Sequence, residues 1–221
     1  IIPRIEARMN DAGNQIADFL STQLWTNATD GSINVDGFPL ISAATGTYGN
    51  IDRTPAANDW WRGYRPTDVG NVAPTRARIL TQIVAAATNN GGEMPNVAVC
   101  SPRTWVLLAQ DYVGQEQYRI TPGESFDQST QGARAAFTAL MVAGVPVYLD
   151  PYATDGQLLQ FNTRYFSFYI HEAAAFAFTG FASTLPNFQL GYVGAVVAVL
   201  EAICVKPASM ALTTGFSWQG F

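Results

Sequence analysis

The side chains that could carry out catalysis are few in this chain and are widely separated. His171 is the only histidine, and a small hydrolase would use it as a general base beside a serine and a carboxylate. The residues around it, Tyr169-Ile170-His171-Glu172, favour a partly exposed strand end, and no serine lies in a Gly-x-Ser-x-Gly motif. We therefore predict no catalytic residues and no enzyme, and we keep a hydrolase that uses His171 as the weaker alternative.

Metal and cofactor sites have little support in the sequence. Cys100 and Cys204 lie in apolar, strand-like runs without CxxC spacing, which predicts buried free thiols, with a disulfide as the alternative. His171-Glu172 lacks the second histidine of a zinc motif. The run Gly46-Thr47-Tyr48-Gly49 lacks the Gly-Lys-Ser/Thr ending of a phosphate loop. We predict neither a metal nor a cofactor.

The composition favours a protein whose surface is covered by other molecules. Only 13% of the residues are charged, whereas roughly a quarter is usual. The net charge of −5 argues against a chain that wraps nucleic acid over its whole surface. Lys206 is the only lysine, and this preference for arginine fits protein interfaces, although a GC-rich genome would produce the same bias. Because the first residues are charged rather than apolar, we expect no secretory leader, and the apolar run 193–205 is shorter than a membrane span requires.

The most distinctive segment runs from Gly46 through Gly-Asn-Ile-Asp-Arg to Trp60-Trp61-Arg62. Tryptophan, tyrosine and arginine are the residues that most often anchor protein–protein contacts. Asp52 and Arg53 favour ion pairs that fix the loop or bridge subunits over an acid/base pair of Asp52 with Asp59. The tryptophans favour core or interface packing over base stacking, because a nucleic-acid platform needs a basic groove. We predict that the subunit-contact residues are Asp52, Arg53, Trp60, Trp61 and Arg62.

The elements of the first half of the chain follow from apolar periodicity and capping residues. Apolar residues at steps of three and four predict an amphipathic helix over 4–25, long enough to cross a whole domain. An extended loop over 26–73 holds little regular structure apart from a short apolar anchor at 38–41. A second helix is predicted over 74–90. A strand over 96–100 then leads through Ser101-Pro102, a cap followed by proline, into a helix over 103–113.

The second half of the chain predicts an α/β layer followed by strands. A helix over 134–143 precedes a strand over 145–149. Segments 157–161 and 164–170 are predicted to pair around a turn at Asn162-Thr163. A long strand covers 188–205 and is ended by Pro207, after which a polar, aromatic tail follows. Five phenylalanines are predicted to form the core faces of strands: Phe166, Phe168, Phe176, Phe178 and Phe181. The chain is thus α+β with a central α/β subdomain.

This combination resembles the major capsid proteins of tailed double-stranded-DNA phages, which share the Hong Kong 97-type fold with encapsulins. The helix ending in Ala17-Asp18-Phe19-Leu20-Ser21-Thr22-Gln23-Leu24-Trp25 is similar to the family's spine helix. The segment Gly49-Asn50-Ile51-Asp52-Arg53 followed by Trp60-Trp61-Arg62 recurs in one branch of these proteins. The run Asn96-Val97-Ala98-Val99-Cys100-Ser101-Pro102 is similar to the entry into the family's axial domain.

The resemblance implies a peripheral domain formed by residues 1–94 and 186–221, and a central α/β axial domain formed by residues 95–185. The family carries an N-terminal arm and an extended E-loop before the spine helix, whereas this sequence begins close to that helix. Those segments either lie outside the given sequence or are absent. The Lys–Asn crosslink of the type member is not assigned here.

The expected function is that of a structural major capsid protein. The resemblance implies pentamers and hexamers that form an icosahedral shell around double-stranded DNA, without sequence-specific DNA binding and without a membrane. Portal, scaffold and decoration proteins are the further expected partners, and the virion, assembled in the host bacterial cytoplasm, is the expected location. An encapsulin-type nanocompartment with protein cargo is the alternative. Replacing Trp60 or Arg53 with alanine is expected to impair assembly more than subunit solubility.

Overall fold

The long N-terminal helix is attached to the rest of the subunit mainly through its last turn. The computed structural model describes residues 2–26, 35–66, 72–89, 91–113, 140–183 and 192–217. Helix α1 spans Ile2–Thr26, close to the predicted bounds. Trp25 is buried, packs edge-on against Phe38 at 5.1 Å and donates its indole N–H to Asp150 Oδ2 at 2.8 Å. Met9 and Phe19, on the apolar stripe further back, are exposed.

Within the segment predicted as an extended loop, the described residues 35–66 form short, packed elements, and residues 27–34 and 67–71 lie outside the described residues. Helix α2 (Phe38–Ile41) confirms the apolar anchor, because Phe38, Leu40 and Ile41 are all buried. A tight hairpin joins β1 (Thr47–Tyr48) to β2 (Ile51–Asp52), and a 3₁₀ segment covers Ala56–Trp61. Gly49 and Asn50 at the hairpin turn both have positive φ, as a type I′ turn requires. The loop prediction is therefore corrected: the described part of this segment has little regular secondary structure, but its residues belong to the core.

A five-stranded mixed sheet forms the centre of the molecule. Its strands lie side by side in the order β11 (Met210–Thr213), β6 (Leu158–Phe161), β3 (Val97–Cys100), β5 (Val145–Leu149) and β4 (Leu140–Val142). Strand β3 (Val97–Cys100) runs parallel to β5 (Val145–Leu149) and antiparallel to β6 (Leu158–Phe161). Helices α3 (Arg76–Asn89) and α4 (Pro102–Val113) pack on the sheet, and their buried residues Ile79, Ile83 and Leu108 belong to its core. Among the described helices, none is long and apolar enough to cross a bilayer.

The predicted helix over 134–143 is wrong for its last four residues. Residues Leu140–Val142 form strand β4, an edge of the sheet, which pairs with β5. Ala143 and Gly144 have positive φ and form the two-residue turn of this hairpin. The apolar run looked helical because a short buried strand and a buried helical segment cannot be told apart by periodicity. Residues 134–139 of that prediction lie outside the described residues.

The two strands predicted to pair around Asn162-Thr163 exist, but they pair with other strands. Strand β6 lies between β3 and β11 (Met210–Thr213), while β7 (Phe166–Ile170) pairs with β10 (Leu200–Cys204). A 3₁₀ turn over Thr163–Tyr165, capped by the Asn162 side chain, separates β6 from β7. Alternating residues identify strands but carry no information on which strand is the partner.

The long strand predicted over 188–205 is interrupted, and the tail after Pro207 contains a strand that was not predicted. Strand β9 (Tyr192–Val197) pairs with β8 (Ala177–Ser183), and β10 resumes the chain two residues after β9 ends. Hydrogen bonds from His171 N to Val199 O and from Val199 N to Ala174 O connect the two pairs. Strands β7–β10 therefore form one long two-stranded ribbon. Residues 184–191, which lie between β8 and β9 in the sequence, are outside the described residues. After β10, strand β11 returns the chain to the central sheet.

Candidate assembly interface

Arg53 lies inside the subunit, where its guanidinium binds backbone carbonyl oxygens. Nη1 donates to Ile41 O at 3.0 Å and to Ala43 O at 2.7 Å, and Nη2 donates to Leu40 O at 2.8 Å. The guanidinium also lies 5.5 Å from the centre of the Tyr48 ring. Because Arg53 is 0% exposed, it has no surface left to bury against a neighbouring copy. Its predicted role as a contact residue is corrected to that of joining α2 to the β1–β2 hairpin.

Asp52 is exposed and stabilises the turn that follows β2. Its Oδ1 accepts the backbone N–H of Thr54 at 2.9 Å, and this hydrogen bond lowers the pKa of the Asp52 carboxyl. The carboxylate of Asp52 therefore orders its own loop through this hydrogen bond, while its predicted ion pair and its contact with a neighbouring copy stay predictions.

The structure brings the two tryptophans and Arg62 together on the outer side of the β1–β2 hairpin. Trp61 is half-buried, donates its indole N–H to Tyr48 O at 2.8 Å and stacks on the Tyr48 ring at 5.9 Å. Arg62 forms an ion pair with Asp59 at 2.6 Å. Trp60 packs on Trp61 at 5.2 Å and is still 60% exposed. Of the five predicted contact residues, Trp60 is thus the one that presents a large apolar surface to solvent.

The phenylalanines of the β-ribbon are on its surface, contrary to the prediction of core faces. Phe166 is partly buried and packs on Phe38 at 5.8 Å. The other four are exposed: Phe168, Phe176, Phe178 and Phe181. Their alternation is that of a buried strand face, but among the described residues the ribbon has only two strands, and it is covered only at its base, where Ala202 and Cys204 are buried. A regular apolar pattern indicates that a strand face is covered, but it does not show which molecule covers that face.

A groove separates the start of α1 from the β8–β9 end of the ribbon. It has a volume of about 680 Å³ and is lined mainly by apolar side chains. Met9 and Ala12 form one wall, and Phe178, Phe181 and Val193 form the other. The Phe178 ring lies over Gly194, where a Cβ atom would come within 2.6 Å of it. Sequence reasoning missed this surface.

The signal that could have revealed this surface is the absence of charge along the β8–β9 end of the ribbon. No Asp, Glu, Lys, Arg or His occurs between Ala173 and Leu200. A strand face open to water is normally lined by polar and charged residues, and the absence of charge from both strands therefore indicates a face that another surface covers.

The residues with catalytic potential remain apart in the fold. His171 is exposed, and its Nδ1 accepts the backbone N–H of Ala173 at 3.2 Å. Cys100 is buried in the central sheet, and burial raises the pKa of its thiol to about 12, so the reactive thiolate is disfavoured at neutral pH. Cys204 is also buried, and both cysteines are free thiols, as predicted. Within the described ranges, no three His, Cys, Asp or Glu side chains form a group that could hold a metal ion.

Comparison with solved structures identifies the fold. The capsid asymmetric unit of cyanophage A-1(L) matches with a TM-score of 0.64 over 93% of this chain and 69% of that chain, at 16% identity. The holo-SrpI encapsulin complex from Synechococcus elongatus PCC 7942 matches with a TM-score of 0.57 over 98% of this chain and 67% of that chain, at 9% identity. No family sequence model and no curated protein sequence matches the chain. The chain therefore has the capsid fold that phage major capsid proteins share with encapsulins, the Hong Kong 97-type fold.

Proposed function

We propose that this chain is a structural major capsid protein that self-assembles through pentamers and hexamers into an icosahedral phage head. The proposal is carried by one observation: a chain with a capsid fold exposes the uncharged, mainly apolar β8–β9 end of its ribbon next to an uncovered helix stripe. A two-stranded ribbon is marginally stable in water by itself, and contiguous exposed apolar surface marks sites of protein association. Neighbouring copies in a closed shell would cover both surfaces. No catalytic activity is part of this proposal.

In such a shell, α1 would act as the spine helix. Residues 1–94 and the segment from 186 would form the peripheral domain, and residues 95–185 would surround the five-fold and six-fold axes as the axial domain. We amend this division at one point, because β11 pairs with β6 in the central sheet. Residues 210–213 would therefore belong to the axial domain, and the chain would return to it after the ribbon.

The inner surface of the shell would enclose double-stranded DNA without reading its sequence. The net charge of −5 supports this, because an acidic shell does not bind its polyanionic contents tightly. Portal, scaffold and decoration proteins would be the partners, and the virion, assembled in the host bacterial cytoplasm, would be the location.

An encapsulin-type nanocompartment is the second candidate. It is favoured by the match to the Synechococcus encapsulin complex, which extends over 98% of this chain. The content of purified particles separates the two functions. Nucleic acid of genome length would support the phage head, whereas a single enclosed protein would support the nanocompartment.

The first experiment is to measure the native mass of the purified protein by light scattering, with negative-stain images of the same sample. We expect megadalton particles of uniform diameter. Subunits that stay at 23.9 kDa or twice that mass under all assembly conditions would contradict the proposal.

The role of the ribbon in assembly can be tested separately with two substitutions at Phe181. Phe181→Asp places a charge on the exposed surface of the ribbon and should reduce the yield of particles by about tenfold or more, as expected for a buried aromatic anchor. The melting temperature of the unassembled subunit should change little, because Phe181 is 53% exposed there. Phe181→Leu, which keeps the surface apolar, is the matched control. Equal particle yields from Phe181→Asp and Phe181→Leu would show that the ribbon is not an interface.

A further inference from the structure

The groove between α1 and the β8–β9 end of the ribbon carries one unpaired cation. Arg8 is the only charged residue among the described residues that line it. Its guanidinium forms no ion pair or hydrogen bond within the described part of the chain. A partner that covered the groove with apolar side chains alone would remove water from this guanidinium and replace it with nothing, which is costly. The surface that covers the groove therefore has to supply a negative charge together with apolar side chains.

Few carboxylates of this subunit are free to supply that charge. Of the carboxylates whose side chains the structure describes, all but Asp155 and Glu172 have a partner within the subunit. Asp155 lies in a turn between Thr154 and Gly156, without a large apolar side chain on either side of it. Glu172 is exposed and follows directly after strand β7 of the ribbon.

Glu172 lies in an exposed apolar patch at the middle of the ribbon. Ile170, Phe176 and Val199 are 53%, 43% and 52% exposed. Backbone hydrogen bonds connect Val199 to residues on either side of Glu172, so the patch is continuous. We call Ile170, Glu172, Phe176 and Val199 the ribbon patch. None of these four residues lines the groove of its own chain.

We propose that the ribbon patch of one copy docks in the groove of a second copy, with the Glu172 carboxylate paired to the Arg8 guanidinium. The groove volume of about 680 Å³ is within the range of about 300–1,000 Å³ that encloses small ligands, so it has room for several side chains. The contact joins two different surfaces of identical subunits and is therefore head-to-tail. This inference rests on the proposed function and specifies which surfaces of neighbouring subunits meet.

Charge reversal at both residues tests the pairing. Arg8→Glu and Glu172→Arg should each lower the yield of particles by about tenfold or more, because each brings like charges together in a contact that excludes water. The double variant Arg8→Glu/Glu172→Arg restores opposite charges and should recover most of the yield. Both side chains are exposed in the isolated subunit, so the melting temperatures of the unassembled variants should stay close to that of the parent.

Asp155 provides the matched control for this rescue. The variant Arg8→Glu/Asp155→Arg has the same net charge as Arg8→Glu/Glu172→Arg, but it places the new arginine outside the ribbon patch. Its particle yield should stay as low as that of Arg8→Glu alone. Equal recovery in the two double variants would show that net charge governs assembly, and it would overturn the inference.

Mixing two single variants tests whether the contact joins different copies. Affinity-tagged Arg8→Glu subunits should retain untagged Glu172→Arg subunits, because the reversed groove of one then meets the reversed patch of the other. They should retain untagged Arg8→Glu subunits about tenfold less, since that pair again brings two carboxylates together. Equal retention of the two untagged subunits would contradict the proposed pairing.

The outcomes separate this inference from the proposed function. If the unmodified protein forms particles but Arg8→Glu/Glu172→Arg yields no more of them than either single variant, the contact is overturned and the shell function stands. If the unmodified protein never assembles, both are overturned.

Discussion

Replacing Arg53 with methionine should destabilise the isolated subunit, and this distinguishes a structural role from a role in subunit contact. Methionine keeps most of the apolar stem and removes the guanidinium. Three carbonyl oxygens would then each lose a hydrogen bond to the guanidinium: those of Leu40, Ile41 and Ala43, at 2.8, 3.0 and 2.7 Å. The oxygens of Leu40 and Ala43 would each keep a backbone N–H donor. Leu40 and Ile41 are buried, so water does not readily replace the lost donors.

The size of the effect follows from the three hydrogen bonds. A hydrogen bond to a charged group contributes about 1.5–3 kcal/mol, which would give a loss of about 4.5–9 kcal/mol for three. Removing a buried charge recovers part of this, because the charge no longer has to be desolvated. We therefore expect the free energy of unfolding to fall by about 3–5 kcal/mol, a large part of the about 5–15 kcal/mol that is typical of a domain.

The assay is urea unfolding of unassembled subunits, followed by circular dichroism, with the midpoint and slope fitted for each variant. Arg103→Met, at an exposed position of α4, is the matched control and should stay within about 0.5 kcal/mol of the parent. Arg53→Lys should fall between the two, since lysine keeps the charge but cannot reach all three oxygens. A loss below about 1 kcal/mol for Arg53→Met would refute the reasoning, because three hydrogen bonds to a charged group, two of them buried, are expected to contribute more than this.

Two further predictions concern the pH dependence of stability and the close approach of the backbone at Gly63 to the backbone at Ser42. Burial raises the pKa of Tyr48 to about 12, so its phenol ionises more readily in the unfolded chain than in the folded subunit. The resulting stabilisation is complete below about pH 10 and is lost as pH rises toward 12, and Tyr48→Phe should flatten this part of the curve of unfolding free energy against pH. An unchanged slope between pH 10 and 12 would contradict this. At Gly63 an added Cβ atom would lie 2.3 Å from the backbone carbon of Ser42, so Gly63→Ala should lower the melting temperature sharply or prevent folding. Gly13→Ala in α1 meets no atom within 4 Å and should instead add about 0.5–1 kcal/mol through helix propensity; similar melting temperatures for the two variants would show that the close approach at Gly63 is not required.

Local elements were predictable wherever their signal lies within a few residues. Helix α1 follows from its apolar periodicity, and the capped start of α4 follows from Ser101-Pro102, where Ser101 Oγ accepts the Thr104 N–H at 3.3 Å. The end of α3 follows from the glycines after Asn89, because Gly92 N bonds back to Ala87 O and Gly91 and Gly92 both have positive φ. Capping and periodicity act over one or two turns, so the sequence contains all that these predictions need.

The partners of the strands were not predictable in the same way. Strand β6 pairs with β3 and β11, which lie far from it in sequence, and not with its neighbour β7. The choice depends on which backbone edges meet after the chain has collapsed, and the alternation of side chains is the same in either arrangement. For the same reason, β11 was taken for a tail, although all four of its residues are buried.

The candidate contact residues show the same difference between what the sequence predicts and what only the fold decides. The sequence identified Arg53 and Trp60 as unusual, but residue type does not say whether a side chain points inward or outward. The structure buries Arg53 among carbonyl oxygens and leaves Trp60 on the surface. It also exposes the aromatic ribbon, which residue pattern had assigned to the core.

The sequence by itself determined the local elements, the low charge that indicates a covered surface, and the resemblance to a capsid protein. Each of these is carried by residue type and short-range spacing. Only the tertiary structure decided which apolar faces remain open, because exposure depends on what the rest of the chain has already covered. The groove beside α1 and the exposed side of Trp60 exist only after the chain has folded. The fold brings the residues of the groove together from distant parts of the sequence, and it leaves Trp60 facing solvent.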